Sequence, residues 1–221
     1  MKRAIVRSLM VCAVIAGAAG QASASIVFYG SDPGALQPSE NLLFNDPSLT
    51  LSGTTVNGVT NTTATLFDIT GQENLLGNGG QASVSGSDGT FTYLLLAPSD
   101  PTTVFGEFEA NLTVYKTTGP SPTGTVTVSA TNSLGVVTTN QYTVGGGQNF
   151  FSLRATDPDF LRSITVTSTV DLASMEQIRV GGISGPDAGG SQIPEPATLL
   201  LFGTGLMGMA RTLRRRSAAR P

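Results

Sequence analysis

The chain has no histidine and no tryptophan, and its only cysteine among 221 residues is Cys12. Cys12 lies in an amino-terminal stretch that is expected to be removed. A mature chain without histidine or cysteine cannot form a Ser-His-Asp or Cys-His nucleophilic centre, and it lacks the ligands of most zinc sites. These absences favour a non-catalytic protein.

Positive charge is scarce between the two ends of the chain. Residues 25–193 contain four Lys and Arg residues against fourteen Asp and Glu residues, a net charge of −10. A nucleic-acid-binding protein neutralises phosphates with Lys and Arg, so an acidic region of this kind excludes nucleic acid as a partner.

The first 24 residues have the three regions of a secretory signal peptide. Three basic residues come first, an apolar run over 9–19 follows, and Ala22-Ser23-Ala24 then supplies the small-residue pattern of a cleavage site. We therefore expect cleavage to be directed by Ala22 and Ala24. The mature protein would begin near Ser25, outside the cytoplasm.

The carboxy-terminal end carries a short apolar segment and a cluster of arginines. Residues 197–210 hold no charge, and as a helix they would extend about 21 Å, less than the roughly 30 Å of a bilayer core. Arg214, Arg215 and Arg216 follow closely. The positive-inside rule predicts that they remain cytoplasmic, with residues 25–185 on the far side of the membrane.

Residues 194–216 resemble the PEP-CTERM sorting signal of Gram-negative bacteria. The resemblance is carried by Pro194, Glu195 and Pro196, the apolar helix 197–210 and the arginine cluster. It implies that the chain is a substrate of exosortase, a membrane protease that cuts near the PEP motif. It also implies an intermediate anchored in the inner membrane with residues 25–185 on the periplasmic side. The mature domain would then be delivered to the cell surface or to the exopolysaccharide of the extracellular matrix.

Residues 25–185 are predicted to form one all-β domain, joined to the sorting signal by the flexible linker 186–193. Apolar residues recur with a period of two, and turn sequences rich in Gly, Pro and Asp separate the runs. Eight to ten short strands without helices favour an antiparallel β-sandwich of jelly-roll type. Strands are predicted at 26–29, 64–69, 82–85, 90–97, 108–114, 125–130, 136–144, 149–155, 164–169 and 177–180.

Glu107 and Glu109 are the closest pair that resembles a hydrolase site. Two positions apart on a strand, their side chains would lie on one face, about 6–7 Å apart. The alternation with Phe108 and Ala110 places both glutamates on a solvated face instead, where no cleft is expected. No catalytic residue is therefore assigned.

Three binding roles remain as alternatives for the domain. Its acidic loops, with Asp157 and Asp159 as examples, suit Ca²⁺, although no recognisable calcium motif is present. Its fold class and destination favour a glycan-binding or calcium-dependent adhesive module, with exopolysaccharide as partner. Threonine rows on predicted strands could form a flat surface that orders water, but threonine is also simply a good strand former. Candidate aromatic contacts for a sugar are Tyr29, Tyr93, Tyr115 and Tyr142.

Overall fold

The computed structural model describes residues 26–30, 34–79, 82–156 and 159–185, and in these the secondary structure is entirely β. Eleven strands pair antiparallel throughout. They are β1 (Ile26–Tyr29), β2 (Glu40–Leu43), β3 (Ser52–Thr60), β4 (Leu66–Asn78), β5 (Ser83–Gly86), β6 (Phe91–Pro98), β7 (Glu107–Val114), β8 (Gly124–Asn132), β9 (Val137–Val144), β10 (Asn149–Ala155) and β11 (Leu161–Gly181).

The longest strand, β11, runs through two layers. Its first part, 161–168, lies between β6 and β8, and its second part, 172–181, lies between β7 on one side and β5 and β2 on the other. The pairing shifts between Thr167 and Leu172, where the Ser168 hydroxyl bonds to the backbone of Val170. β11 is therefore divided between the two layers at this shift in pairing.

The first layer has the order β9-β8-β11-β6-β4-β3, and the second has the order β1-β10-β7-β11. On one side β2 joins the layers, because it pairs with both β11 and β3. On the opposite side the terminal strands β9 and β1 are not paired with each other. There Tyr142 of β9 contacts Phe151 of β10, with ring centroids 6.0 Å apart. The result is a β-sandwich with one open edge.

The apolar residues of both layers form one buried cluster. Strands of the first layer contribute Val128, Val166 and Leu96, and strands of the second contribute Phe108 and Leu153. Burial of this cluster removes large apolar areas from water, which is the dominant favourable term in folding. The core therefore lies between the layers, where the period-two pattern predicted it.

Three strands and one connection differ from the sequence prediction. The strand predicted at 64–69 is β4, which begins at Leu66 and continues to Asn78. β2 and β3 were not predicted, and the separate strands at 164–169 and 177–180 are parts of β11. β3 contains polar residues and Gly58, where an added Cβ would lie 2.7 Å from Leu42 Cγ. This glycine is needed for packing against β2, yet by composition it reads as a loop residue.

No helix within the described residues is long and apolar enough to cross a membrane. The predicted signal peptide 1–24, linker 186–193 and apolar helix 197–210 lie outside these residues, which end at Gly185.

Candidate functional site

The residues predicted to direct export and sorting all lie outside the described part of the chain. They are Ala22, Ala24, Pro194, Glu195, Pro196, Arg214, Arg215 and Arg216. The structure therefore describes only the domain at residues 25–185, here called the cargo domain. Three of its features are candidate sites: a polar cluster on the second layer, a hydroxyl-rich face on the first layer and a cleft at the open edge.

The polar cluster on the second layer corrects the prediction that both Glu107 and Glu109 are solvated. Glu109 is only 4% exposed, although Glu107, two positions earlier, is partly exposed. β7 is buried on both faces because residues 34–38 lie over its polar face. The backbone of Gly34 hydrogen-bonds to Glu109, and a Cβ on Gly181 would lie 3.3 Å from Pro38. Alternation alone could not reveal this cover.

The electrostatics of the two glutamates differ. Burial raises the pKa of Glu109, while Arg179, its neighbour on β11, and the Gly34 backbone act in the opposite direction. Glu109 Oε2 and the Ser152 hydroxyl are buried without a hydrogen-bond partner among the described residues. Arg154 Nε donates a hydrogen bond to Glu107 Oε1 at 2.8 Å. Arg154 Nη2 lies 2.6 Å from the same oxygen, so the two side chains also form an ion pair. One carboxylate is therefore covered and the other is neutralised, an arrangement unlike the two accessible carboxyls of a glycosidase.

The acidic loop residues act within their own turns. Asp46 accepts hydrogen bonds from the backbone and hydroxyl of Ser48, and Asp100 does the same for Thr102. These bonds lower the pKa of both aspartates. Asp159 is buried beside Asn132, and Asp157 lies outside the described residues. Within those residues no group of three carboxylates or other usual metal ligands is found.

The predicted threonine rows come together on the outer face of the first layer. Thr127 pairs with Thr167, Ser129 pairs with Thr165, and the Thr125 N–H donates to the Thr169 hydroxyl at 2.9 Å. Further hydroxyl contacts link Thr55 to Thr70 and Ser129 to Thr139. Some of these hydroxyl groups therefore bond to one another across strands, a contact that stabilises paired strands.

The cleft lies between the layers at the open edge. It has a volume of about 310 Å³ and is lined mainly by residues of β9 and β10, together with Gly30, Leu112 of β7 and Val126 of β8. The Tyr142 hydroxyl donates to the Tyr29 carbonyl oxygen at 3.1 Å. Burial raises the pKa of Tyr142, with a smaller opposing effect of a hydrogen bond with Asn140. The residues that line the cleft include Gln141, Tyr142, Thr143, Phe150 and Phe151.

None of the described residues that line this cleft is charged, and aromatic residues line it together with polar ones. Such a site suits a neutral, amphipathic ligand. Of the four tyrosines predicted from the sequence, the structure brings Tyr29 and Tyr142 together, whereas Tyr93 lies on β6 and Tyr115 follows β7. The glycine-rich turn at 145–147 indicated a β9–β10 connection, but no sequence signal indicated that these strands belong to different layers.

Comparison with known proteins identifies the carboxy-terminal segment. Residues 192–216 match the family model of the PEP-CTERM protein-sorting motif. The chain carries a PEP-CTERM sorting signal. This confirms the resemblance drawn from Pro194, Glu195 and Pro196, and a PEP-CTERM signal implies export with processing by exosortase.

The cargo domain has no comparable match. A search of curated proteins finds none for this chain. Among solved structures, a mutant of a family 29 carbohydrate-binding module is similar, with 9% identity and a TM-score of 0.21 over 74% of this chain and 92% of that chain. A score of this size is too low to support an inference about ligand or function.

Proposed function

We propose that this PEP-CTERM protein is an exported, non-catalytic β-sandwich that is released from a membrane-held intermediate and retained at the cell surface or in the extracellular matrix. The observation that carries the proposal is the sorting motif at 192–216, which follows a domain whose buried hydrophobic residues, in the described part of the chain, run from Ile26 to Val180, with Ile183 packed against them. The signal peptide 1–24, the periplasmic orientation of the domain, its jelly-roll type and the short membrane helix are parts of the same proposal.

In this proposal Pro194, Glu195 and Pro196 are features read by the processing protease. The two prolines favour an extended backbone, which a protease cleft binds readily. Arg214, Arg215 and Arg216 hold the tail in the cytoplasm until cleavage. The protein itself performs no chemistry in this step.

The test replaces Pro194, Glu195 and Pro196 together with alanine in the full chain. We expect export to continue but processing to stop, so that intact-mass spectrometry finds the protein still joined to its arginine tail in the membrane fraction. A matched control, Pro186→Ala with Asp187→Ala, changes the linker and should be processed normally. Recovery of the triple variant at mature size from the cell surface would contradict the proposal.

A second role is favoured by the cleft: the domain binds a neutral sugar residue of an exopolysaccharide. A volume of about 310 Å³ accommodates a ligand of that scale, and the rings of Tyr142 and Phe151, with centroids 6.0 Å apart, offer an apolar surface that carries the Tyr142 hydroxyl as a polar group. The net charge of −10 over residues 25–193 disfavours an anionic polysaccharide. The absence of tryptophan limits the expected affinity, since stacking then relies on Tyr and Phe.

Calorimetric titration of the exported protein with neutral and with uronic-acid oligosaccharides tests this role. We expect weak binding of the neutral sugars, retained in EDTA and lost in Tyr142→Ala. Tyr93→Ala removes a partly exposed tyrosine from another face and should leave binding unchanged. Binding abolished by EDTA would favour the calcium-dependent adhesive module instead, and equal loss in both tyrosine variants would show that the cleft is not the site.

A further inference from the structure

The open edge of the first layer ends in a strand that lacks the usual protection against pairing. β9 has eight residues, Val137–Val144, and among the described strands it pairs only with β8. Its sequence, VTTNQYTV, contains no charge, proline or glycine, and its register with β8 is unbroken over eight residue pairs. Natural edge strands are usually short, bulged, or interrupted by lysine or proline.

The backbone groups that β9 presents at its free side can be assigned. The Asn132 N–H donates to the Val136 carbonyl at 3.0 Å, so the Asn132–Val136 pair is hydrogen-bonded. Hydrogen-bonded and non-bonded pairs alternate along an antiparallel ladder. The even-numbered residues of β9 therefore bond to β8, and the N–H and C=O groups of Val137, Thr139, Gln141 and Thr143 point to the free side. No partner for these groups occurs in the described part of the chain.

Exposed apolar side chains mark the same edge. Three of the five exposed large hydrophobic residues of the described chain lie in the β8–β9 turn and at the start of β9: Leu134 at 73%, Val136 at 50% and Val137 at 59%. β8 and β9 carry no charge, although the domain as a whole is acidic. A second copy can therefore approach through β9 without bringing carboxylates into contact, which it cannot do through the acidic surfaces.

We propose that β9 pairs antiparallel with β9 of a second copy of this chain, about a twofold axis at Asn140. This register places Val137 opposite Thr143 and Thr139 opposite Gln141 of the other copy. It matches all four outward-pointing residues, and it keeps outer-face side chains on the outer face, because paired residues in a ladder share a face. A shift of one residue would place outer-face residues against inner-face ones.

Charge substitutions test the register. In Thr139→Glu with Gln141→Lys, opposite charges face each other across the twofold axis, whereas in Thr139→Lys with Gln141→Lys like charges do so. The double-lysine variant also lowers the net negative charge, so non-specific repulsion cannot explain a loss of association. By sedimentation velocity of the exported protein, we expect a dimer for the parent and for the Glu–Lys variant, with a dissociation constant at least about tenfold higher for the double-lysine variant.

A cross-link tests the twofold axis. Asn140→Cys would place two thiols in a non-hydrogen-bonded pair, about 4.5 Å apart at Cα, a distance that a disulfide accepts. The only natural cysteine, Cys12, lies in the predicted leader. We expect a disulfide-linked dimer on oxidation, and much less from Thr62→Cys, an exposed site in the β3–β4 turn.

Several outcomes would overturn the proposal: a monomeric parent at all concentrations, equal association of the two charge variants, or cross-linking of Asn140→Cys only to a different protein. Gln141, Tyr142 and Thr143 also line the cleft, so sugar titrations are run on the unsubstituted parent, at the same concentrations at which its sedimentation is measured. If the parent dimerises but binds no sugar, only the glycan-binding proposal is contradicted. If the parent binds sugar but stays monomeric, only the β9 pairing proposal is contradicted.

Discussion

At the scale of single residues, Glu109 is the group whose behaviour differs most from its sequence context. Because its pKa is raised by burial, the native state holds its proton more tightly than the unfolded chain does. The free energy of unfolding of the parent, compared with that of Glu109→Gln, is therefore greatest at low pH. It falls as the pH rises from about 4.3, the ordinary glutamate value, through the raised value. Urea unfolding of both proteins across this range measures the difference.

Asp100→Asn is the matched control, since hydrogen bonds from Thr102 lower the pKa of Asp100. The parent should be more stable than Asp100→Asn above about pH 3.9, the ordinary aspartate pKa. This advantage should be lost as the pH falls through the lowered pKa of Asp100, so its pH dependence is opposite to that of Glu109. Parallel pH profiles for the parent and Glu109→Gln would mean that Glu109 is hydrated in solution and that residues 34–38 do not cover it.

The same residue shows the limit of reading side-chain environments from alternation. The pattern of β7 correctly placed Phe108, Ala110 and Leu112 in the core. It could not place Glu109, because the cover comes from residues 34–38, some seventy positions earlier and without a strand pattern of their own. Asp46 and Asp100 present no such difficulty, because each begins an Asp-Pro turn and its carboxylate accepts a hydrogen bond from the residue two positions on.

At the scale of elements, the turn between β5 and β6 depends on a close backbone approach. A Cβ added to Gly86 would lie 1.8 Å from the Thr90 carbonyl oxygen, a backbone atom that cannot move aside without displacing β6. We expect Gly86→Ala to lower the free energy of unfolding by about 1–3 kcal/mol or more. Chemical denaturation of the purified domain measures this change.

Gly145→Ala provides the control for that experiment, because its added Cβ would meet only the Thr123 hydroxyl at 3.6 Å. We expect a change within about 0.5 kcal/mol, offset in part by the reduced entropy of the unfolded chain. Similar losses for the two variants would indicate that glycine content as such, rather than the contact at Thr90, determines the effect.

Strands were predictable where one face is apolar and turn residues mark both ends. β1 and β10 have the predicted bounds, and β8 and β9 differ by only one or two residues at their ends. β3 was not predicted because its buried positions include Gly58 and Thr60, which are not typical core residues. The halves of β11 were predicted as separate strands, since residues 170–176 break the alternation at the kink between the layers.

At the scale of the whole molecule, the sequence predicted an antiparallel sandwich and an exported destination, but not the cleft or the free edge. Both features arise because β9 and β10, neighbours in sequence, enter different layers and leave that side open. Layer assignment depends on long-range pairing with β11, and no local periodicity encodes it. The sorting signal was predictable for the opposite reason: its motif, apolar run and arginines are adjacent in the chain.

The separation of domain and sorting tail leads to a prediction about stability. The buried hydrophobic residues of the described chain run from Ile26 to Val180, so a fragment of residues 25–185 should fold without either end. We expect its urea midpoint and m-value to equal those of the exported mature protein. A fragment ending at Glu176 loses Ile178 and Val180, both fully buried, at a cost of about 2–5 kcal/mol for a large truncated aliphatic side chain. That loss is comparable with the whole stability of many domains, so this shorter fragment should show no cooperative transition. If 25–185 itself unfolded without cooperativity, the sorting tail would be part of the folding unit, and its removal by a protease could not leave an intact cargo.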